Sequence, residues 1–443
     1  MKKIISVICG LLAAIMLFGC IGCIKVDVHD DPEPVVTNEP DPETEAPATV
    51  VPTVTQEGNL VGNYYADFNG FLKGLDSYKE DNFIASPTSL RAALCLAIAG
   101  AEGDTLTELL RAAGFSSKEE ACEWYNNMLA MISAFAEDLE SDRQREVEQA
   151  ALFGEEIPGS GVDRAFEIAN SIWNNNGVSQ GFKDSYIEYV KNVFGADAFS
   201  EDSKEITGKI NSWVNEKTHG MIPQIVGDVS KMSAVLVNAL YLRTTWINDF
   251  GEHLTHEDKF TCFDGSEIKK EFMEQERALY RYYEDENTRF VILPMDGNIS
   301  FVCVLGDTSD LENKIKSAEY RDIHLVLPKM EIESSFDNSE MVNFVIGRGA
   351  KVPFTGDANF NSMCVSEDWY INDIIQKAKI KTDEEGIEAS AATAILMEAT
   401  AAFDPTTPPP VIDFIADHPF SFFIYCDINS DAPEMLFCGQ MVK

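Results

Sequence analysis

The residues of this chain that could carry chemistry are few, and most of them form no familiar pattern. His253-x-x-His256 is the close histidine pair, and no cysteine or carboxylate cluster is placed to complete a metal site around it. No CxxC pair recurs with zinc spacing, and there is no G-x-S-x-G elbow, P-loop or GxGxxG turn. The sequence therefore predicts no catalytic residue, no metal and no cofactor. The stretch that does invite a chemical reading is EEGIEASAATAILMEATAAFDPTTPPP, Glu384 to Pro410. Its Ala, Glu, Leu and Met are strong helix formers, yet its apolar residues make no stripe at helical spacing. Read at period two, Ile387, Ala389, Ala391, Thr393, Ile395 and Met397 share one face, apolar except for Thr393. Glu388, Ser390, Ala392, Ala394, Leu396 and Glu398 share the other, mixed face. This is a strand of residues small enough to slip between others.

The elements that would position it fall into two groups. Helical signals dominate the first half of the folded region. Ser86 is a predicted N-cap with Pro87 at the first helical position, opening an apolar helix to about Ala99. A second helix is expected from Asp104 or Thr105 to Gly114, and ACEWYNNMLAMISAFAEDL and ITGKINSWVNEKTHG carry helical periodicity. Strand signals dominate the second half: SAVLVNALYLRTTW, RFVILPMD, ISFVCVLG, DIHLVLPKMEI, FSFFIYCDI and MLFCGQMV. Helices first and long strands later imply an α+β fold.

Composition narrows the functional classes. The chain has 443 residues, 45% of them hydrophobic, with a formal charge of −40. Such an acidic surface excludes a nucleic-acid footprint and argues against electrostatic docking on anionic lipid. Lys2 and Lys3 precede an apolar run from Ile4 to Phe18, too short for a comfortable membrane span and suited to a signal peptide over residues 1–19. Leu17-Phe18-Gly19-Cys20 resembles the bacterial lipobox, which makes Cys20 the expected lipidated residue, with Cys23 the overlapping alternative. Residues 20–58 read as an acidic, Pro-rich, disordered tether. The seven cysteines beyond the lipobox are odd in number and scattered, which suggests buried thiols rather than a disulfide framework.

From Asn59 to Lys443 the chain resembles a serpin. NFIASPTSLRAALCLAIAGAEGDT resembles the family's opening Asn–Ser-Pro–Ser helix and its Gly-Ala-x-Gly-x-Thr turn. INSWVNEKTHGMI, LVNALYLRTTWINDF, VILPMDGNISFVCVLGD, LVLPKMEIES and DHPFSFFIYCDINSDAPEMLFCGQMV follow in family order. The resemblance implies a serpin fold over residues 59–443, with helices of the N-terminal half packed on large mixed and antiparallel sheets and a reactive-centre loop at about 384–410. EEGIEASAATA then resembles the family's hinge, Glu384, Glu385, Gly386, Ile387, Glu388, Ala389, Ser390, Ala391, Ala392 and Thr393.

The function implied is that of a suicide inhibitor. A serine protease attacks one loop carbonyl and forms an acyl-enzyme, and the cut loop then inserts as a central strand and drags the protease with it. Gly386 is expected to act as a flexible hinge, and the intact loop to lie outside the sheet. The family places the cut about fourteen residues after the hinge Gly, which points to the Thr400–Ala401 bond, with Met397 and Phe403 as alternatives. Ile387 stands where inhibitory members carry Thr or Ser. Gln376 stands where most carry His in the shutter, whose other positions match Ser86, Ser89 and Asn238. The expected partners are a serine protease and, through the lipid, the membrane; the expected location is the outer face of the bacterial membrane or outside the cell, and the expected state a monomer. A non-inhibitory serpin and a tethered binding module, each cleaved only as a substrate, are the alternatives.

Overall fold

The computed structural model describes residues 64–153, 164–336, 339–365, 369–387, 410–430 and 433–443. The chain divides into two units, Met1–Val50 and Val51–Lys443, and all described residues belong to the second. The proposed signal, Cys20 and the tether lie outside the described residues, as do Glu388 to Thr393, Met397, Thr400, Ala401 and Phe403 of the loop.

The described helices are α1 (Tyr64–Gly74), α2 (Pro87–Gly100), α3 (Gly103–Ala113), α4 (Lys118–Phe153), α5 (Asp184–Phe194), α6 (Ile206–Lys217), α7 (Leu311–Lys316) and α8 (Glu340–Gly347). Ser86 caps α2 as expected, its side chain accepting from the Ser89 backbone N–H. α3 starts one residue before the earlier of its two predicted starts and ends against Gly114 in the left-handed region, where a glycine costs least.

The strands are β1 (Phe83–Ala85), β2 (Ala165–Asn175), β3 (Asp197–Glu201), β4 (Ala234–Thr245), β5 (His256–Thr261), β6 (Glu267–Glu284), β7 (Thr288–Met295) and β8 (Ile299–Gly306). They continue with β9 (Glu319–Pro328), β10 (Glu331–Phe336), β11 (Asp373–Lys381), β12 (Gly386–Ile387), β13 (Ile412–Ile415), β14 (Phe420–Cys426) and β15 (Glu434–Met441). Among the described residues they form two sheets. A nine-stranded sheet has the order β1-β15-β14-β8-β7-β6-β9-β13, with β5 beside β6. A six-stranded sheet has the order β10-β11-β4-β2-β3, with β12 against β4.

β4 is buried at nearly every position because both of its faces are covered. On one side Val235, Val237 and Ala239 pack beneath Ile206, Ile210 and Val214 of α6. On the other, Leu240 and Leu242, with Ile380 of β11, meet Phe301, Leu325 and Phe422 of the larger sheet. Of the seven described cysteines, six are buried and Cys122 is half-buried, all as free thiols. Burial pushes the thiols of Cys426 and Cys438 up to about 12.

Candidate functional site

β4 and β11 run side by side in parallel, and their pairing is short. It covers Asp373 to Gln376 against Val235 to Asn238 and stops there. At that end sits a polar knot in an otherwise apolar sheet. The Gln376 side chain donates to the Ser86 carbonyl (2.8 Å) and to Asn238 Oδ1 (3.1 Å), and accepts from the Ser86 backbone N–H (2.9 Å). Ser89 Oγ donates to the same Asn238 oxygen at 2.7 Å, and Ser86 Oγ donates to the Leu436 carbonyl at 2.7 Å. All four side chains are buried, so each bond forms away from competing water. The four shutter residues read from sequence thus converge, and Gln376 closes the network with three hydrogen bonds. Asn238 Nδ2 is buried with no partner among the described residues.

At the other end of the gap the chain turns back on itself. β11 ends, residues 382–385 reverse direction, and Gly386 and Ile387 return antiparallel to β4 opposite Thr245 and Thr244. Ile387 also bridges Thr382, so it stands between β4 and the end of β11. It is 3% exposed and joins the same apolar cluster as Leu240, Leu242, Ala378 and Ile380. The sequence reading puts the intact loop outside the sheet, whereas its hinge residues Gly386 and Ile387 are already inside. A β-branched apolar side chain is suited to that buried strand position, so the departure from Thr or Ser at Ile387 is accommodated.

Gly386 has a reason other than flexibility. A Cβ there would lie 2.2 Å from the Thr244 carbonyl oxygen and 2.7 Å from Thr245 Cα, backbone atoms that cannot step aside. Gly386→Ala should therefore expel the hinge from the sheet. Amide exchange of the peptide spanning Gly386 and Ile387 should rise about five- to a hundredfold, the size that a loss of about 1–3 kcal/mol of local packing gives. Unchanged protection would show that the close approach is not needed.

The turn is held by groups to which the sequence reading gave no role. Trp246 donates its backbone N–H to the Glu385 carbonyl and its indole N–H to that of Asp383, both at 2.9 Å. Glu384 Oε1 takes Lys329 Nζ at 2.8 Å and Thr255 Oγ1 at 2.7 Å. Burial opposes ionisation of Glu384, but the bonds from Lys329 and Thr255 outweigh it and hold the carboxyl below its usual range. The clasp therefore persists through the ordinary carboxylate range and is lost only on stronger acidification. Lys329 lies in LVLPKMEIES and Trp246 in LVNALYLRTTWINDF, so the motifs carried a signal that spacing alone could not assign.

Between these two ends lie residues 239–243 of β4 and 377–381 of β11, over which the β4–β11 ladder does not extend. Their inward side chains, Leu240, Leu242, Ala378 and Ile380, are apolar and buried. Their outward ones include Arg243, Lys377, Lys379 and Lys381. A strand apolar on one face and polar on the other would match the side chains on both borders.

Comparison with known proteins agrees with this geometry. The serpin family model, described as serine protease inhibitor, matches residues 69–443. Iripin-8 of Ixodes ricinus is 27% identical over 401 residues, covering 86% of this chain and 92% of its own length. A leukocyte elastase inhibitor of Sus scrofa is 26% identical over 395 residues, covering 83% and 94%. The crystal structure of Serpin48, a serpin described as highly specific in the insect Tenebrio molitor, aligns with a TM-score of 0.67 at 24% identity. It covers 87% of this chain and 97% of its own, a likeness of fold. A parted sheet that already holds the first residues of a small-residue strand, and a family match over nearly all of the folded region, have one reading: the chain belongs to the serpin family.

Proposed function

We propose that this chain is an exported bacterial serpin, held at the outer face of the membrane by a lipid on Cys20, that traps serine proteases as a suicide substrate. The observation that carries the inhibitory reading is Ile387, seated between Thr244 and Thr382 above a β4–β11 ladder that begins only at Gln376 and Asn238. An inserting strand has its first residue in place and a slot ahead of it. Its outward residue Glu388 would meet the cations Arg243 and Lys381 in the continued register, and its inward residues a buried apolar wall.

The test is incubation with a panel of serine proteases followed by denaturing gels. A stable band at the summed mass with an elastase-like or subtilisin-like enzyme is expected. Cleavage with no such band for any protease would favour a serpin cut only as a substrate.

The bait bond is assigned to Thr400–Ala401, where small residues on both sides suit shallow elastase-like or subtilisin-like pockets. The resemblance to a leukocyte elastase inhibitor supports that choice. Mass spectrometry of the cleaved chain should find the main cut within one bond of Thr400. A main cut after Phe403 would instead point to a chymotrypsin-like target.

The anchor has its own test. Replacing both Cys20 and Cys23 by Ala should move the protein from the membrane fraction to the soluble one. If it stays bound, the lipid is not the anchor.

A further inference from the structure

The strand that receives the loop's downstream end is β13, an edge strand of the larger sheet and the first described strand after the loop. It is four residues long and pairs in parallel with β9, Phe414 providing its buried apolar anchor. Directly across the ladder, Asp413 faces His324 of β9.

His324 is held from both sides. Its Nδ1 lies 2.8 Å from Asp413 Oδ1, and its Nε2 lies 2.9 Å from Glu274 Oε1 of β6. An ionised carboxylate can only accept, and a neutral imidazole has a single N–H. Both contacts are therefore hydrogen bonds only while the ring carries two protons and a positive charge. We propose that His324 is a pH-sensitive clasp that fastens β13, and with it the downstream end of the reactive-centre loop, to the sheet when protonated and loosens it as pH rises.

The surroundings support a proton as the ligand. The second oxygen of Glu274 lies 3.4 Å from Nδ1 of His256 on β5, whose nitrogen also lies 3.0 Å from the Leu254 carbonyl. Of the nearby charges, Asp322 of β9 pairs with Arg277 of β6 at 2.6 Å, and Arg289 of β7 lies over the Phe414 ring, 5.8 Å from its centroid. Beyond β13, His418 is engaged by Asp417 at 2.7 Å. Among the described residues no three histidine, cysteine or carboxylate side chains converge as a metal site requires. The hydrogen bonds from Asp413 and then Glu274 raise the imidazole's affinity for its proton above the usual histidine range, against a smaller opposing effect of burial.

The sign follows from that direction. A group whose proton is held more tightly in the folded state stabilises it fully below the unfolded-state value, about 6.5, and that contribution is lost as pH rises through the folded value. Above it one contact becomes a carboxylate facing a lone pair, and Asp413 and Glu274 lose the cation they share. The effect is local to β13, whose ladder to β9 opens more often while Phe414 keeps its buried seat.

Hydrogen exchange of the full chain between pH 5.5 and pH 8.5, corrected for intrinsic exchange rates, tests the proposal. Protection of the peptide covering residues 411–416 should fall about two- to fivefold across that range, the size a partly exposed ion pair supports. Central strands β7 and β8 should show no such slope. His324→Gln should remove the slope while His256→Gln keeps it. A flat profile in the wild-type protein, or the same slope in His324→Gln, overturns the proposal. Asp413→Asn, at an exposed position, gives a second readout should His324→Gln fold poorly. The NMR titration midpoint of His324 should drop in that variant, and an unchanged midpoint likewise overturns the clasp. Neither measurement depends on whether the chain inhibits a protease.

Discussion

Ala391→Glu should leave cleavage of the reactive-centre loop intact and abolish the covalent complex. The reason lies in the register that Ile387 begins. Its partners are Thr244 on β4 and Thr382, the residue just after β11. Two-residue steps in that register would carry Ala389 to Leu242 and Ile380, Ala391 to Leu240 and Ala378, and Thr393 to Asn238 and Gln376. Leu240 and Ala378 are 7% and 3% exposed and belong to the apolar cluster between the sheets. A carboxylate inserted there has no cation to meet, and leaving it uncompensated costs about 3–5 kcal/mol. Insertion would stall at the third inward residue, and the protease would complete hydrolysis and leave.

Ala392→Glu is the control, since the same register would place it on the outward face beside Lys377, and it should be much milder. Ile387→Thr should keep or raise the trapped fraction, because Thr is also β-branched and fits the same strand position. The measurement is the ratio of trapped complex to cleaved loop for each variant against an elastase-like protease. If Ala391→Glu traps as well as the wild type, strand insertion is not how this protein acts. The register also gives Asn238 a second role. In the continued register Thr393 would stand opposite Asn238, whose Nδ2 has no partner among the described residues.

Gln376→Leu should weaken the uncut protein more than any other single change at the shutter. Leucine keeps the approximate volume and removes the amide that serves Ser86 N–H, Ser86 C=O and Asn238 Oδ1. The buried Ser86 N–H is then left unsatisfied, at about 1–3 kcal/mol, while the Ser86 carbonyl keeps the N–H of Leu90. The first urea unfolding transition should move to lower concentration by the equivalent of about 1–3 kcal/mol. Gln376→His, which retains one donor and one acceptor, should cost distinctly less. An unchanged midpoint in Gln376→Leu would mean that the polar knot does not close the sheet.

How much of this was legible in the chain depends on the range of the interaction. The N-cap at Ser86, the glycine stop at Gly114 and the apolar strands β4, β7, β8, β9, β14 and β15 are set by neighbouring residues, so pattern alone located them, whereas β5, β6, β11 and β13 went unread. The small-residue stretch after Gly386 reads as a two-faced strand because period two is a local property, and from Glu388 on it lies outside the described residues. The shutter was legible only by resemblance, since Ser86, Asn238 and Gln376 are far apart in sequence.

Other features were decided by tertiary structure. β6 is rich in Glu, Lys and Arg and has no clean alternation, yet it is an 18-residue strand because β5, β7 and β9 supply partners for its backbone. The seating of Ile387 inside the sheet depends on where Thr244 and Thr382 stand. The role of Gly386 depends on the approach of β4, and the clasp of Glu384 on Lys329 and Thr255. Periodicity determined which face of the loop can be buried. That the β4–β11 ladder ends at Gln376 and Asn238, and that Gly386 and Ile387 already pair with β4, only the tertiary structure decided, because these partners lie far apart in sequence.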